Sequence, residues 1–218
     1  MKVMTKILLA LLFIFIGCSS IKDFSGLDLD YPFALADSGD FYFPINTDPN
    51  SRKVEGMLDT FSNEWYSKHL NSLKEPVLFN QKKSIEIYRY TNLFTWGNPF
   101  TYRIVKTDST ITITKKITDG QGGYQTGKLK INQTKKVALV EWNTFLNNMN
   151  NLEFWNKPTH VNCKGVDGAQ WILEGYKDGE YHFLNRWSPE HCDNSQFVNI
   201  CNSFEELFEE INNETDTE

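Results

Sequence analysis

Glu174, His182 and Arg186 lie close enough along the chain to share one surface. A carboxylate beside an imidazole can pass a proton, and a guanidinium can hold an anionic group. Whether the three meet depends on how residues 169–187 fold. Trp171, Ile172, Leu173 and Tyr176 lead into Lys177, Asp178 and Gly179, and Tyr181, Phe183, Leu184 and Trp187 answer them, which reads as a β-hairpin. Lys177 and Asp178 suit a type I turn, and Gly179 suits the left-handed position that follows it in three-residue loops. That turn pairs Tyr176 with Glu180, Glu174 with His182, Ile172 with Leu184, and Gln170 with Arg186. Trp171, Leu173, Tyr181, Phe183, Asn185 and Trp187 then share an apolar face opposite a mixed one, as a sheet resting on a core requires. On that mixed face Glu174, His182 and Arg186 are catalytic candidates, set against a plain cross-strand hydrogen bond on a charged surface. No serine stands in a nucleophile elbow, no second carboxylate is placed by spacing, and no third group orients His182.

The same hairpin would bring Cys163 and Cys192 to its open end. Three cysteines besides Cys18 allow three single pairings, 163 with 192, 163 with 201, or 192 with 201; the expected disulfide is Cys163 with Cys192. Cys201 falls on the apolar stripe of a C-terminal helix and reads as a buried thiol. His160 and His191 flank the first pair, and two imidazoles with two thiolates would suit tetrahedral zinc. Their spacing matches no standard ligand pattern and a disulfide would consume both sulfurs, so no metal is expected.

Gly122, Gly127 and Lys128 have the spacing of a phosphate-binding loop, but Leu129 stands where Ser or Thr is required. The residues beyond it alternate like a strand, whereas the motif needs a helix N-terminus. The segment reads as a Gly-rich turn, and no cofactor is expected. Trp96, in a loop with Gly97, Asn98 and Pro99, is the candidate binding residue, because a Gly/Pro loop rarely buries its side chains.

The N-terminus carries chemistry of another kind. Lys2 and Lys6 precede an apolar run over residues 7–16, followed by Gly17, Cys18, Ser19 and Ser20. Ten residues rise only about 15 Å as a helix, half of a ~30 Å hydrocarbon layer, so the run reads as a cleaved signal. Phe15, Ile16, Gly17 and Cys18 resemble the lipobox of bacterial lipoproteins, with Phe15 where that family usually carries Leu. The resemblance implies cleavage before Cys18, a thioether-linked diacylglycerol and an N-acyl chain such as palmitate on that cysteine, and a lasting membrane anchor. Ser19 resembles the sorting pattern that sends such lipoproteins to the outer membrane. Further along, residues 167–171 with Leu173, Glu174, Tyr181 and residues 186–189 resemble a pattern in uncharacterised bacterial proteins, which implies no activity.

Removing residues 1–17 takes two of the 22 basic residues and none of the 28 acidic ones, leaving 201 residues with a net charge of −8. Such a surface has no footprint for nucleic acid. The expected organisation is a signal peptide over 1–17, an anchor and partly ordered tether over 18–50, one domain over 51–212, and an acidic tail over 213–218. Aromatics such as Tyr42 and Phe43 suggest that the end of the tether lies against the domain.

The elements that must position these residues follow from hydrophobic period. Leu58, Phe61, Trp65, Tyr66, Leu70 and Leu73 predict a helix over 54–73, ended by Pro76. Strands are expected over 84–90, 100–106, 110–118 and 128–132. Trp142, Phe145, Leu146 and Met149 predict a second helix, and Phe197, Cys201, Phe204, Phe208 and Ile211 a third over 196–211. Clustered strands predict an α+β fold, a mainly antiparallel sheet packed on one side by two or three helices. The function this favours is a non-catalytic envelope lipoprotein binding another macromolecule, with an inhibitor or immunity-like protein facing a basic partner as one form. The alternatives are a hydrolase or polysaccharide-acting enzyme built on Glu174 and His182, and a glycan-binding module using Trp96.

Overall fold

The computed structural model describes residues 41–48, 53–81, 84–162, 165, 167–191 and 195–213. A meander of four strands, β3 (Glu86–Phe94), β4 (Phe100–Lys106), β5 (Ile111–Thr118) and β6 (Leu129–Lys136), leads into helix α2 (Leu139–Asn151). The chain then returns as a hairpin, β7 (Ala169–Lys177) and β8 (Glu180–Trp187), and closes with α3 (Ser195–Asn213). All six strands form one antiparallel sheet in the order β6-β5-β4-β3-β7-β8. Before the meander, β1 (Ile45–Asn46) and β2 (Leu58–Asp59) form a short parallel pair, and α1 (Thr60–Ser72) follows. The fold is α+β with a mainly antiparallel sheet.

Both faces of the sheet are covered. Helices α2 and α3 lie on one face, where Trp142, Phe145, Phe197, Phe204 and Phe208 pack against Tyr88, Tyr90, Tyr102, Leu173 and Leu184. Along β3 and β7 the alternate residues point the other way. There Leu93, Ile172 and Phe183 meet Tyr66 and Leu70 of α1 together with Tyr42 and Phe43, which are buried. The end of the expected tether therefore contributes core side chains, so the folded unit begins before residue 51.

Helix α1 starts where Asp59 accepts the Ser62 N–H at 3.0 Å, an N-cap bond. Its buried stripe is Asn63, Tyr66, Ser67 and Leu70, spaced three and four apart. Two of these are polar for a reason: Asn63 Nδ2 donates to the Phe43 carbonyl at 2.7 Å, and the Tyr42 N–H donates to Ser67 Oγ at 2.9 Å. Gripping that backbone turns the helix away from the all-apolar stripe its sequence suggests. Phe61 is left 74% exposed and Trp65 half-buried.

The hairpin uses a different turn from the expected one. Asp178 and Gly179 have φ of 51° and 91°, and Lys177 pairs with Glu180, so the turn has two residues and both are left-handed. Positive φ at both central positions is the type I′ geometry that Asp-Gly favours. The register therefore shifts by one: Glu174 pairs with Phe183, Gly175 with His182, Leu173 with Leu184, and Trp171 with Arg186. Aromatics are then divided between the two faces, which is stable because each face has its own core.

Candidate functional site

The shifted register separates the three titratable candidates. Glu174 points to the α1 face, whereas His182 and Arg186 point to the α2/α3 face. Glu174 is fully buried. Arg89 Nε and Nη2 donate to its two oxygens, each at 2.7 Å, and Tyr181 Oη donates to Oε1 at 3.0 Å. Burial pushes its pKa up against the attraction of Arg89.

Around that pair runs a buried ionic network that the sequence reading missed. Glu75, just after α1, accepts from Arg103 Nε at 2.7 Å, lies 2.9 Å from Lys116 Nζ and 3.4 Å from Arg89 Nη1. Arg89, Arg103 and Lys116 come from β3, β4 and β5, so one carboxylate ties the segment after α1 to three strands. Burial would raise the pKa of Glu75, but Arg103, Lys116 and Arg89 override it and hold it down to about 2. Carboxylates so enclosed have no approach for a substrate. The available signal was Arg and Lys at alternating positions of apolar strands, which reads as a solvent face until the second helix layer is known.

His182 is half-buried against Phe154 and Trp155, its Nε2 2.9 Å from the Lys157 carbonyl. Burial lowers its pKa, keeping the ring neutral at pH 7. Arg186 donates through Nη1 to the Thr159 carbonyl and through Nη2 to the Pro158 carbonyl, each at 2.7 Å, and its guanidinium lies over Phe197. It anchors the loop before β7. His160 Nε2 is 2.9 Å from the Met57 carbonyl. Cys18, Cys163 and Cys192 lie outside the described residues, and with them the lipid attachment, the expected disulfide and both thiolates of the zinc constellation. Cys201 is buried in the core on the α2/α3 face. Among the described residues no group of three or more His, Cys, Asp and Glu side chains is gathered as metal ligands would be.

Trp96 is different. It is 55% exposed and stacks on Tyr124, itself 62% exposed, with ring centroids 5.0 Å apart at 42°. Trp96 comes from the turn between β3 and β4, Tyr124 from the Gly-rich loop between β5 and β6. The two loops are stitched together: the Gly122 N–H donates to the Gly97 carbonyl at 3.1 Å and the Gly123 N–H to the Thr95 carbonyl at 3.3 Å. A Cβ on Gly122 would sit 2.4 Å from the Leu93 carbonyl carbon, so only glycine permits this approach. Thr95 Oγ1 donates to the Gly168 carbonyl at 2.7 Å and Asn98 Nδ2 to the Thr118 carbonyl at 2.8 Å, fixing the turn from its other sides.

Helix α1 extends the same surface. Trp65 Nε1 donates to the Gly122 carbonyl at 2.8 Å, and the Trp65 ring packs on Phe61 at 6.4 Å between centroids. Phe94, at the end of β3, is also 45% exposed. Phe61 and Trp65 thus adjoin the braced loops that carry Trp96 and Tyr124. Of these only Trp96 was singled out by the sequence. Tyr124 lies in what reads as a Gly-rich turn, and Phe61 and Trp65 fall in the apolar stripe expected of α1. Aromatic rings of this size held rigidly in water are suited to stacking on apolar or planar groups of a partner, at little entropic cost. No protein-family model, no curated protein and no solved structure matches this chain.

Proposed function

We propose that this protein is a lipid-anchored, non-catalytic envelope lipoprotein that binds a macromolecular partner through the aromatic platform centred on Trp96 and Tyr124. The observation that carries the reading is the exposed stack of those two rings on loops whose backbones are bonded to each other. Trp and Tyr dominate the energetics of protein interfaces, and rigid ones lose least on binding. An exposed aromatic cluster of this kind marks an interaction surface. The lipid on Cys18 would hold that surface at a membrane, in keeping with the outer-membrane sorting pattern at Ser19. The mature charge of −8 favours a basic partner, as an inhibitor or immunity-like role requires.

A photocrosslinking residue at Tyr124, used in intact envelopes with the full-length lipoprotein, tests the reading. One enriched crosslinked protein is the expected outcome, and a blank recovery would sink it. The glycan-binding alternative draws on the same Trp96 and Tyr124 rings, which would stack on sugar faces. Glycan-array binding that disappears in Trp96→Ala would favour it over a protein partner.

A further inference from the structure

A second surface, on the α2/α3 face of the sheet, is lined by amides. Asn148 and Asn151 from the last turn of α2 face Gln196, Asn199 and Asn202 from the first turns of α3 across a groove of about 480 Å³. Ser203 and Glu206 complete its polar wall, and Leu152 and Ile200 close its floor. Steps of three residues along each helix set neighbouring amides on one face, with Cβ atoms about 5–6 Å apart, so the groove presents two short facing ladders. Asn148, Asn151, Asn199 and Asn202 are exposed, and their side-chain amides are tied to no partner among the described residues.

The chemistry of that lining is narrow. Every side-chain amide offers one acceptor oxygen and two donor hydrogens, so the four untied asparagines suit a ligand whose groups also both donate and accept. Hydroxyls and secondary amides do so. Among the described residues the only charge in the wall is the Glu206 carboxylate, an acceptor, which disfavours an anion and welcomes an O–H or N–H. An apolar floor matches a methyl group or the C–H face of a ring. We infer that the groove between α2 and α3 is a binding site for an uncharged, N-acetylated sugar. Its acetamido group pairs with asparagine amides and its ring hydroxyls with the remaining ones.

The site is independent of the aromatic platform, sharing no residue with it, and stands whether or not the platform binds a protein. Saturation-transfer NMR on the acetyl methyls of chitotriose, added to the purified full-length protein, tests it. Asn151→Ala with Asn199→Ala is the site variant; both positions are exposed on helices, where alanine favours the fold. Transfer to the wild type that weakens about tenfold in the double variant is expected, the size of losing one or two hydrogen bonds. Three results would overturn the inference. These are no transfer to the wild type, equal transfer to both proteins, or transfer lost in Trp96→Ala while surviving in the double variant. Binding of N-acetyl-trialanine amide without chitotriose would overturn it in favour of a peptide groove.

Discussion

Arg89 and Glu174 stand opposite each other on β3 and β7 and join through two parallel hydrogen bonds of 2.7 Å, both side chains fully buried. This pair locks β7, the inner strand of the hairpin, to β3 of the meander, and it makes Glu174 a structural carboxylate. Removing one partner of a buried pair leaves the other charge without compensation, at a cost of about 3–5 kcal/mol. Glu174→Ala and Arg89→Ala are each expected to lose stability on that scale in urea unfolding. Arg89→Met with Glu174→Leu should recover part of the loss. A stable, well-folded Glu174→Ala would refute the structural role.

Acid should weaken the fold in two stages. Burial drives His69 down to about 4 against a hydrogen bond to the Gly122 backbone, so between pH 6.5 and 4 the unfolded chain takes up a proton that the native state refuses. Stability falls across that window. Glu75, held at about 2 by Arg103, Lys116 and Arg89 against the effect of burial, is protonated in the unfolded chain near 4.5 but not in the native state. Its contribution is present above 4.5 and is lost as pH falls toward 2. Glu174, raised by burial, acts in the opposite sense above 4.5 and offsets part of the first stage. The urea midpoint measured from pH 7 to 3 should decline throughout, and His69→Gln should flatten the section between 6.5 and 4. An unchanged slope in that variant would contradict the assignment.

The hairpin turn can be tested at two residues. In the observed turn Asp178 and Gly179 both have positive φ, so Asp178→Gly should leave stability unchanged or raise it, whereas Gly179→Ala should cost about 1–2 kcal/mol. A three-residue turn would instead put Asp178 in a right-handed conformation, where glycine destabilises by ~1 kcal/mol. One register position further, a Cβ on Gly175 would lie 2.5 Å from Phe154 Cε1. Gly175→Ala should cost about 1–3 kcal/mol by overpacking, read as a lowered thermal midpoint.

These residues also explain what the sequence could and could not reveal. The hairpin and the meander were legible as runs of aromatic and β-branched residues bounded by turn residues, and α2 and α3 because each buries one apolar stripe at helical period. Register was not, since a choice between two- and three-residue turns assumed that only one face of β7 and β8 is buried. Ile172 and Leu173 point to opposite cores, so alternation carried no information about register. The α1 face was misread because Asn63 and Ser67 are buried by bonds to the backbone of residues 42 and 43, a long-range fact. The platform was half legible for the same reason: a Gly/Pro loop announces an exposed Trp96, but its stacking on Tyr124 depends on two loops meeting 28 residues apart in the chain.

The cysteines divide into separate experiments. Radiolabelled palmitate should enter the wild type and fail to enter Cys18→Ser. A non-reducing peptide map should join the peptides carrying Cys163 and Cys192; finding them apart would remove that disulfide. Cys201, buried in the core, should react with a thiol reagent only after unfolding.

The central claim concerns the surface formed by Trp96 and Tyr124. Interface hot spots of this type cost at least ~2 kcal/mol on truncation, which corresponds to about a thirtyfold loss of affinity. The direct measurement is the yield of the envelope crosslinked species formed by wild type and by the Trp96→Ala, Tyr124→Ala double variant, with thermal unfolding recorded for both. The account predicts a yield reduced by about an order of magnitude or more with an unchanged unfolding midpoint. An undiminished yield in a folded double variant would contradict it.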